Sequence, residues 1–224
     1  MCIFPLFPEV SPEQWSAFGV GLTGWATLFL AIAAIFGLRQ WRTQLIGTGK
    51  YEIARRLALL SLQFRDEFIQ ARNPMTFSFE YPDRPKGESD TNGEIQKIND
   101  QYYVRQKRLE PLRETLNKMK AASWEAEIIL GEDIQQYITP FDDIFKELFS
   151  AILVYFSRRQ TDAERTKFMR PEDGLRDMSQ ETKDETQKLW RIIYFSGSDD
   201  ELNPKLDETV VLLKQYLQKF IRGN

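Results

Sequence analysis

Residues 15–38 read WSAFGVGLTGWATLFLAIAAIFGL, twenty-four positions without a charge, and Arg39, Gln40, Trp41 and Arg42 follow at once. At about 1.5 Å per residue such a run makes a helix of roughly 36 Å, enough to cross a hydrocarbon core of about 30 Å. The expectation is a transmembrane helix over 12–40. Its start is also written in the sequence: Ser11, Pro12, Glu13 and Gln14 form an S-x-x-Q capping box with proline at the first helical position. Trp15 and Trp41 stand where indole rings anchor to the two interfaces.

The flanks differ in charge. Residues 1–38 hold Glu9 and Glu13 and no Lys or Arg, whereas 39–56 hold Arg39, Arg42, Lys50, Arg55 and Arg56 against Glu52. Arg39 and Arg42 therefore set the topology: a short extracytoplasmic N-terminus over 1–11, and everything beyond the span on the cytoplasmic side of a plasma (inner) membrane. A cleaved signal peptide would need a basic start and a shorter apolar core, and this chain has neither.

Beyond residue 38 lie 186 residues carrying all 30 basic side chains and 31 of the 33 acidic ones. That balance disfavours nucleic acid as a partner, and the length suits one domain with a core. Cys2 is the single cysteine and lies outside this portion, so an internal disulfide or a cysteine metal cluster is not available to it.

Apolar positions recur at spacings of three and four. After a juxtamembrane joint over 41–50, helices are expected at about 51–72, 94–130, 133–157, 181–195 and 204–222, together forming a cytoplasmic bundle over 51–224. The fold class is all-α, one N-terminal transmembrane helix followed by a multi-helix bundle. Pro111 is expected to kink the second of these helices, and Asn203 to cap the last. The apolar run LFSAILVYF at 148–156 is too short to cross a bilayer and is expected to be the bundle's central helix. Residues 158–179, with six basic and five acidic side chains, read as a solvated loop. In the connection 73–93, Phe77, Phe79 and Tyr81 alternate with polar residues, which predicts a short extended run whose aromatic face packs on the bundle and tethers the loop or, as the functional alternative, serves as a partner-binding lid or edge.

The inventory for chemistry is thin. The chain has no histidine, which removes histidine-based nucleophile pairs and metal sites. Gly47-Thr48-Gly49-Lys50 departs from a phosphate-binding loop at Gln44 and Tyr51, and reads as the joint between span and bundle. The carboxylate pairs Glu125/Glu127, Glu132/Asp133 and Asp142/Asp143 lack the spacing of a di-metal bundle site, and Arg105, Lys107, Arg108 and Arg113 read as a charged outer face. No catalytic, cofactor or metal site is expected, and the chain is not expected to be an enzyme.

The span itself is two-sided. Trp15, Phe18, Leu22, Trp25, Phe29, Ile32 and Phe36 fall on one side of a helical wheel, while Ala17, Val20, Thr23, Gly24, Thr27, Ala31 and Ala34 gather on the other. Close approach over small residues is what drives helix association in lipid. The expected partners are therefore the bilayer and a second copy or another membrane protein, and the expected role is a membrane-anchored interaction or scaffolding module. The layout, a span plus an inward helical domain, is similar to that of small membrane effectors of prokaryotic antiviral systems. That likeness implies the alternative of a pore-forming or membrane-perturbing effector. A carboxylate-dependent enzyme acting near the membrane, through Glu127 or Asp143, ranks below both.

Overall fold

The computed structural model describes residues 12–80, 82–85, 87, 93–131, 134–168, 180–194, 197 and 200–222. Over these the protein is all-helical: α1 Pro12–Ala71, a 3₁₀ turn Ser78–Glu80, α2 Gly93–Leu130, α3 Ile134–Phe168, α4 Gln180–Ile193 and α5 Leu202–Ile221. It divides into two compact units, Met1–Gly49 and Lys50–Asn224.

In the first unit α1 begins at Pro12, where a residue without an N–H sits at no cost in the first turn; Ser11, the cap read from the sequence, lies outside the described residues. Residues 19–48 are all exposed. Among the described residues this is the one helix long and apolar enough to cross a membrane, and no part of its apolar window is buried. Helical structure continues through Gly47–Lys50, so the joint is not a break in the helix.

The second unit is held by an apolar core to which every helix contributes. Leu57, Phe64 and Phe68 of α1 meet Leu112, Leu116 and Met119 of α2, Phe141, Ile144, Leu148 and Ile152 of α3, Ile193 of α4, and Leu206, Leu213 and Leu217 of α5. Burying each such side chain is worth about 1.5–3 kcal/mol. Phe64 meets the edge of Phe141 with ring centroids 5.4 Å apart, a geometry that favours the aromatic quadrupoles.

The helices pair antiparallel. Gly131, at φ 76°, ends α2 in the left-handed conformation that an L side chain resists. Along the α2–α3 pair, Lys120 meets Asp142 and, at the far end, Gln160 donates to Asn99. On its other sides α3 receives α4 through Arg158–Glu185, and α5 through Lys205–Glu147 and the stacked Tyr137 and Tyr216 rings, 4.5 Å apart. The 148–156 segment thus lies at the centre, although Leu153 and Val154 remain exposed and its apolar character is not used on every side.

Three local expectations are corrected. Residues 158–168 are helix, not loop: Arg158, Arg159 and Gln160 find partners on α4 and α2, Ala163 is buried, and this stretch contains no Gly or Pro to end α3. α5 starts at Leu202, before the expected Asn203 cap: Glu201 holds the N-cap position without a side-chain bond, and Asp200 Oδ1, one residue earlier, accepts the Leu202 and Asn203 N–H groups. Residues 78–80 form a 3₁₀ turn in place of an extended run, and the Phe77 and Phe79 rings are exposed instead of packing into the core; Tyr81 lies outside the described residues.

Candidate functional site

The apolar phase of α1 runs Leu57, Leu60, Phe64, Phe68, and the next position is Arg72. That of α2 runs Ile98, Tyr102, then Arg105, then Leu109 and Leu112. Two arginines therefore occupy core positions, and both are fully buried. A buried cation requires compensating acceptors, and these residues collect them from two connections, the one that leaves α1 and the one between α4 and α5.

Arg72 Nη1 donates to both carboxylate oxygens of Asp200, at 2.9 and 2.8 Å, and to Asn203 Oδ1 at 2.7 Å. Its Nε and Nη2 donate to the carbonyls of Ile192, Arg191 and Tyr194 at 2.9, 2.9 and 3.2 Å. Those carbonyls close α4, where a cation is favoured by the helix dipole, and Asp200 opens α5. One side chain thus fastens the end of α1 to the α4–α5 connection. Burial pulls the Arg72 pKa down, opposed by the hydrogen bond and charge of Asp200.

Arg105 donates to the carbonyls of Ala71, Asn73 and Pro74 and to Thr76 Oγ1, and its guanidinium lies 4.8 Å over the Tyr194 ring. Its Nε is buried without an acceptor. One turn on, Arg108 donates to Asn73 and Met75 carbonyls at 2.7 and 2.6 Å and takes Glu80 in a two-point grip, 2.8 Å to each oxygen. That grip holds the Glu80 carboxyl below its ordinary value. Glu80 Oε1 also accepts the Phe77 N–H at 2.9 Å. The α2 arginines are thus a clamp on the segment that leaves α1.

The reading of 105, 107, 108 and 113 as a charged outer face is corrected at Arg105, which is buried, and at Arg108, which is half-buried and bonded to backbone; Lys107, paired with Glu110, and Arg113, over the Phe145 and Phe149 rings at 5.9 and 5.6 Å, are exposed as that reading expects.

The clamp fixes an unusual surface. Phe77 and Phe79 stack with centroids 5.3 Å apart and nearly parallel planes, yet stay 46% and 75% exposed. They form one wall of an open groove of about 540 Å³, whose remaining lining includes Glu67 and Gln70 of α1 and Lys107, Arg108 and Pro111 of α2. A second groove, about 330 Å³, lies along α4 between Glu147, Asp184, Lys188 and Glu201.

The carboxylates singled out from the sequence are not brought together. Glu125 pairs with Arg56 on the surface at 3.4 Å, and Glu127 accepts from Gln135. Burial works against charge on Asp142, but Lys120 and Lys146, at 2.7 and 2.8 Å, hold its pKa below the ordinary value. Asp143 is 3.8 Å from Lys146. Glu132 and Asp133 lie outside the described residues. Among the described residues no group of three or more Cys, Asp or Glu side chains is placed to hold a metal ion.

On α1, Val20, Thr23, Gly24, Thr27, Ala31 and Ala34 are all exposed, as are Arg39, Trp41 and Arg42, while the Trp15 and Ala17 side chains lie outside those described. Thr23 and Thr27 donate at 2.8 Å to the carbonyls of Gly19 and Thr23, so both hydroxyl protons are used within the helix. A Cβ built on Gly24 meets nothing within 4 Å.

Comparison of the chain with protein-family models, with curated proteins and with solved structures finds no match.

Proposed function

We propose that this protein is a single-pass membrane protein, N-terminus outside and bundle in the cytoplasm, anchored in the plasma (inner) membrane, whose helical bundle is an interaction or scaffolding module. The span self-associates, or pairs with another span, through Ala17, Val20, Thr23, Gly24, Thr27, Ala31 and Ala34. The observation that carries this reading is the wholly exposed apolar stretch over 19–38, against the apolar core that the helices of the second unit bury together. Such a surface in water would be an aggregation liability, whereas in lipid it needs no cover. Packing over the smooth face is favoured above hydroxyl pairing, because the Thr23 and Thr27 protons are already engaged. Arg72–Asp200 and Lys120–Asp142 join helices of the bundle, and Arg108–Glu80 joins α2 to the segment that leaves α1.

The test is disulfide crosslinking in native membranes. In a Cys2→Ser background, Ala31→Cys is expected to yield a crosslinked dimer on mild oxidation, and Phe29→Cys, on the bulky face, is not. Equal yields would reject the face. Digestion of a carboxyl-terminal tag by protease added to intact cells would reject the orientation.

A further inference from the structure

Exposed phenylalanines on a loose loop would mean little; Phe77 and Phe79 are held out by design of the surrounding bonds. Arg108 makes four hydrogen bonds, to two carbonyls and to both oxygens of Glu80, Glu80 holds the Phe77 N–H, and Arg105 bonds three carbonyls of the same segment from inside the core. The backbone that carries the rings is therefore held in place and the rings stack on each other, which lowers the ordering cost a partner meets on binding them. Aromatic side chains in a preformed concavity are the anchors on which binding energy concentrates.

The charges of the groove select among partners. Lys107 is matched by Glu110 and Arg108 by Glu80. Glu67 has no cation among the described residues: its Oε1 accepts from Gln63 at 2.8 Å, and its Oε2 is shielded from solvent without a hydrogen bond. A carboxylate in that state gains from an incoming cationic donor, and the faces of phenyl rings also attract Lys and Arg.

We propose that this groove is a docking site for a polypeptide segment of a partner protein, one that seats an apolar side chain against Phe77 and Phe79 and brings a neighbouring Lys or Arg to Glu67. The site deepens the interaction-module reading of the bundle and does not depend on how the span is placed or associates.

The experiment is selection of a phage-displayed random 12-residue peptide library on the full chain immobilised in detergent, followed by fluorescence anisotropy of the selected peptides. Enriched peptides are expected to carry an apolar residue beside Lys or Arg. Their affinity should fall about tenfold or more with Phe79→Ala or Phe77→Ala. Glu67→Gln should weaken the cation-bearing peptides and leave their alanine-substituted versions unchanged. All three positions reach the surface of the groove, and an unchanged melting temperature confirms that each variant is folded. Enrichment no greater than on detergent-coated support, an acidic consensus, or equal binding to the Phe77→Ala/Phe79→Ala double variant would overturn the proposal. The crosslinking of Ala31→Cys is read separately: its loss with peptide binding intact removes span association alone, and the converse removes the groove alone.

Discussion

Replacing Asp200 by alanine is expected to be the most damaging single change to the bundle at a charged position. The carboxylate is almost wholly out of solvent and matches a guanidinium that is fully so. Removing one partner of a buried pair leaves the other charge uncompensated, which costs about 3–5 kcal/mol. The same change strips the acceptor from the Leu202 and Asn203 N–H groups at the head of α5, worth about 1 kcal/mol more. A loss of about 4 kcal/mol or above is a large share of the 5–15 kcal/mol typical of a folded domain. For a unit of this size it corresponds to a fall in melting temperature of roughly 8–16 °C. Arg72→Met should cost a similar amount, because it strands Asp200 and leaves the carbonyls of Arg191, Ile192 and Tyr194 without their donor. The double variant should cost clearly less than the two losses added together, since neither charge then remains alone. Thermal unfolding of the full chain in detergent, followed by far-ultraviolet circular dichroism, measures all three. Single variants within about 1 kcal/mol of the parent, or strictly additive losses, would refute the account of this pair.

Glu80 is depressed by Arg108, so their pairing contributes fully above the ordinary glutamate value of 4.5 and is lost as pH falls through the lower folded value. Hydrogen exchange at Phe77, corrected for intrinsic rate, should accelerate on acidification in the parent and be fast at every pH in Glu80→Gln; the same pH dependence in both would count against the clamp. Gly24→Leu is expected to abolish the Ala31→Cys crosslink, because a Cβ at this exposed position meets no neighbouring side chain and the added bulk projects from the smooth face; Phe29→Leu should leave the crosslink unchanged. Gly131→Ala places a Cβ at φ 76° and should lower stability by about 1 kcal/mol, seen as a small drop in melting temperature, with no drop if the α2–α3 turn can relax.

Periodicity carried most of the architecture. The series from Ile53 to Phe68, Ile95 to Leu130 and Leu206 to Leu217 lie in the core as their spacing requires, and residues 47–50, legible as a hinge or a bent continuous helix, are helical. What failed was the inference that charge means surface. In α2 the apolar series skips from Tyr102 to Leu109, and the residue standing in the gap at helical phase is Arg105; in α1 Arg72 follows Phe68 at the same phase. Those gaps were the available signal for buried arginines. Their partners were not available: the acceptors of Arg105 are backbone carbonyls, which no side-chain pattern records, and Asp200 stands 128 positions from Arg72. The charged stretch after Arg158 looked like loop for the same reason, its partners Gln101, Asn99 and Glu185 being supplied by other helices. The alternation at 76–81 was real, but alternation without a neighbouring strand has no ladder to join, and a local turn bonded by Glu80 forms instead.

The separation of 128 residues between Arg72 and its counter-ion also sets a clock. At about 5–20 residues per second, roughly 6–26 s pass on the ribosome after the arginine is made before the aspartate exists. During that interval α1, α2 and α3 can zip as neighbours, but the guanidinium has no carboxylate to enter the core with, so the last step of closure waits for Asp200. A polypeptide that ends short of residue 200 should accordingly keep the end of α1 open to protease after its release from the ribosome, whereas one that includes Asp200 should close it into a resistant form.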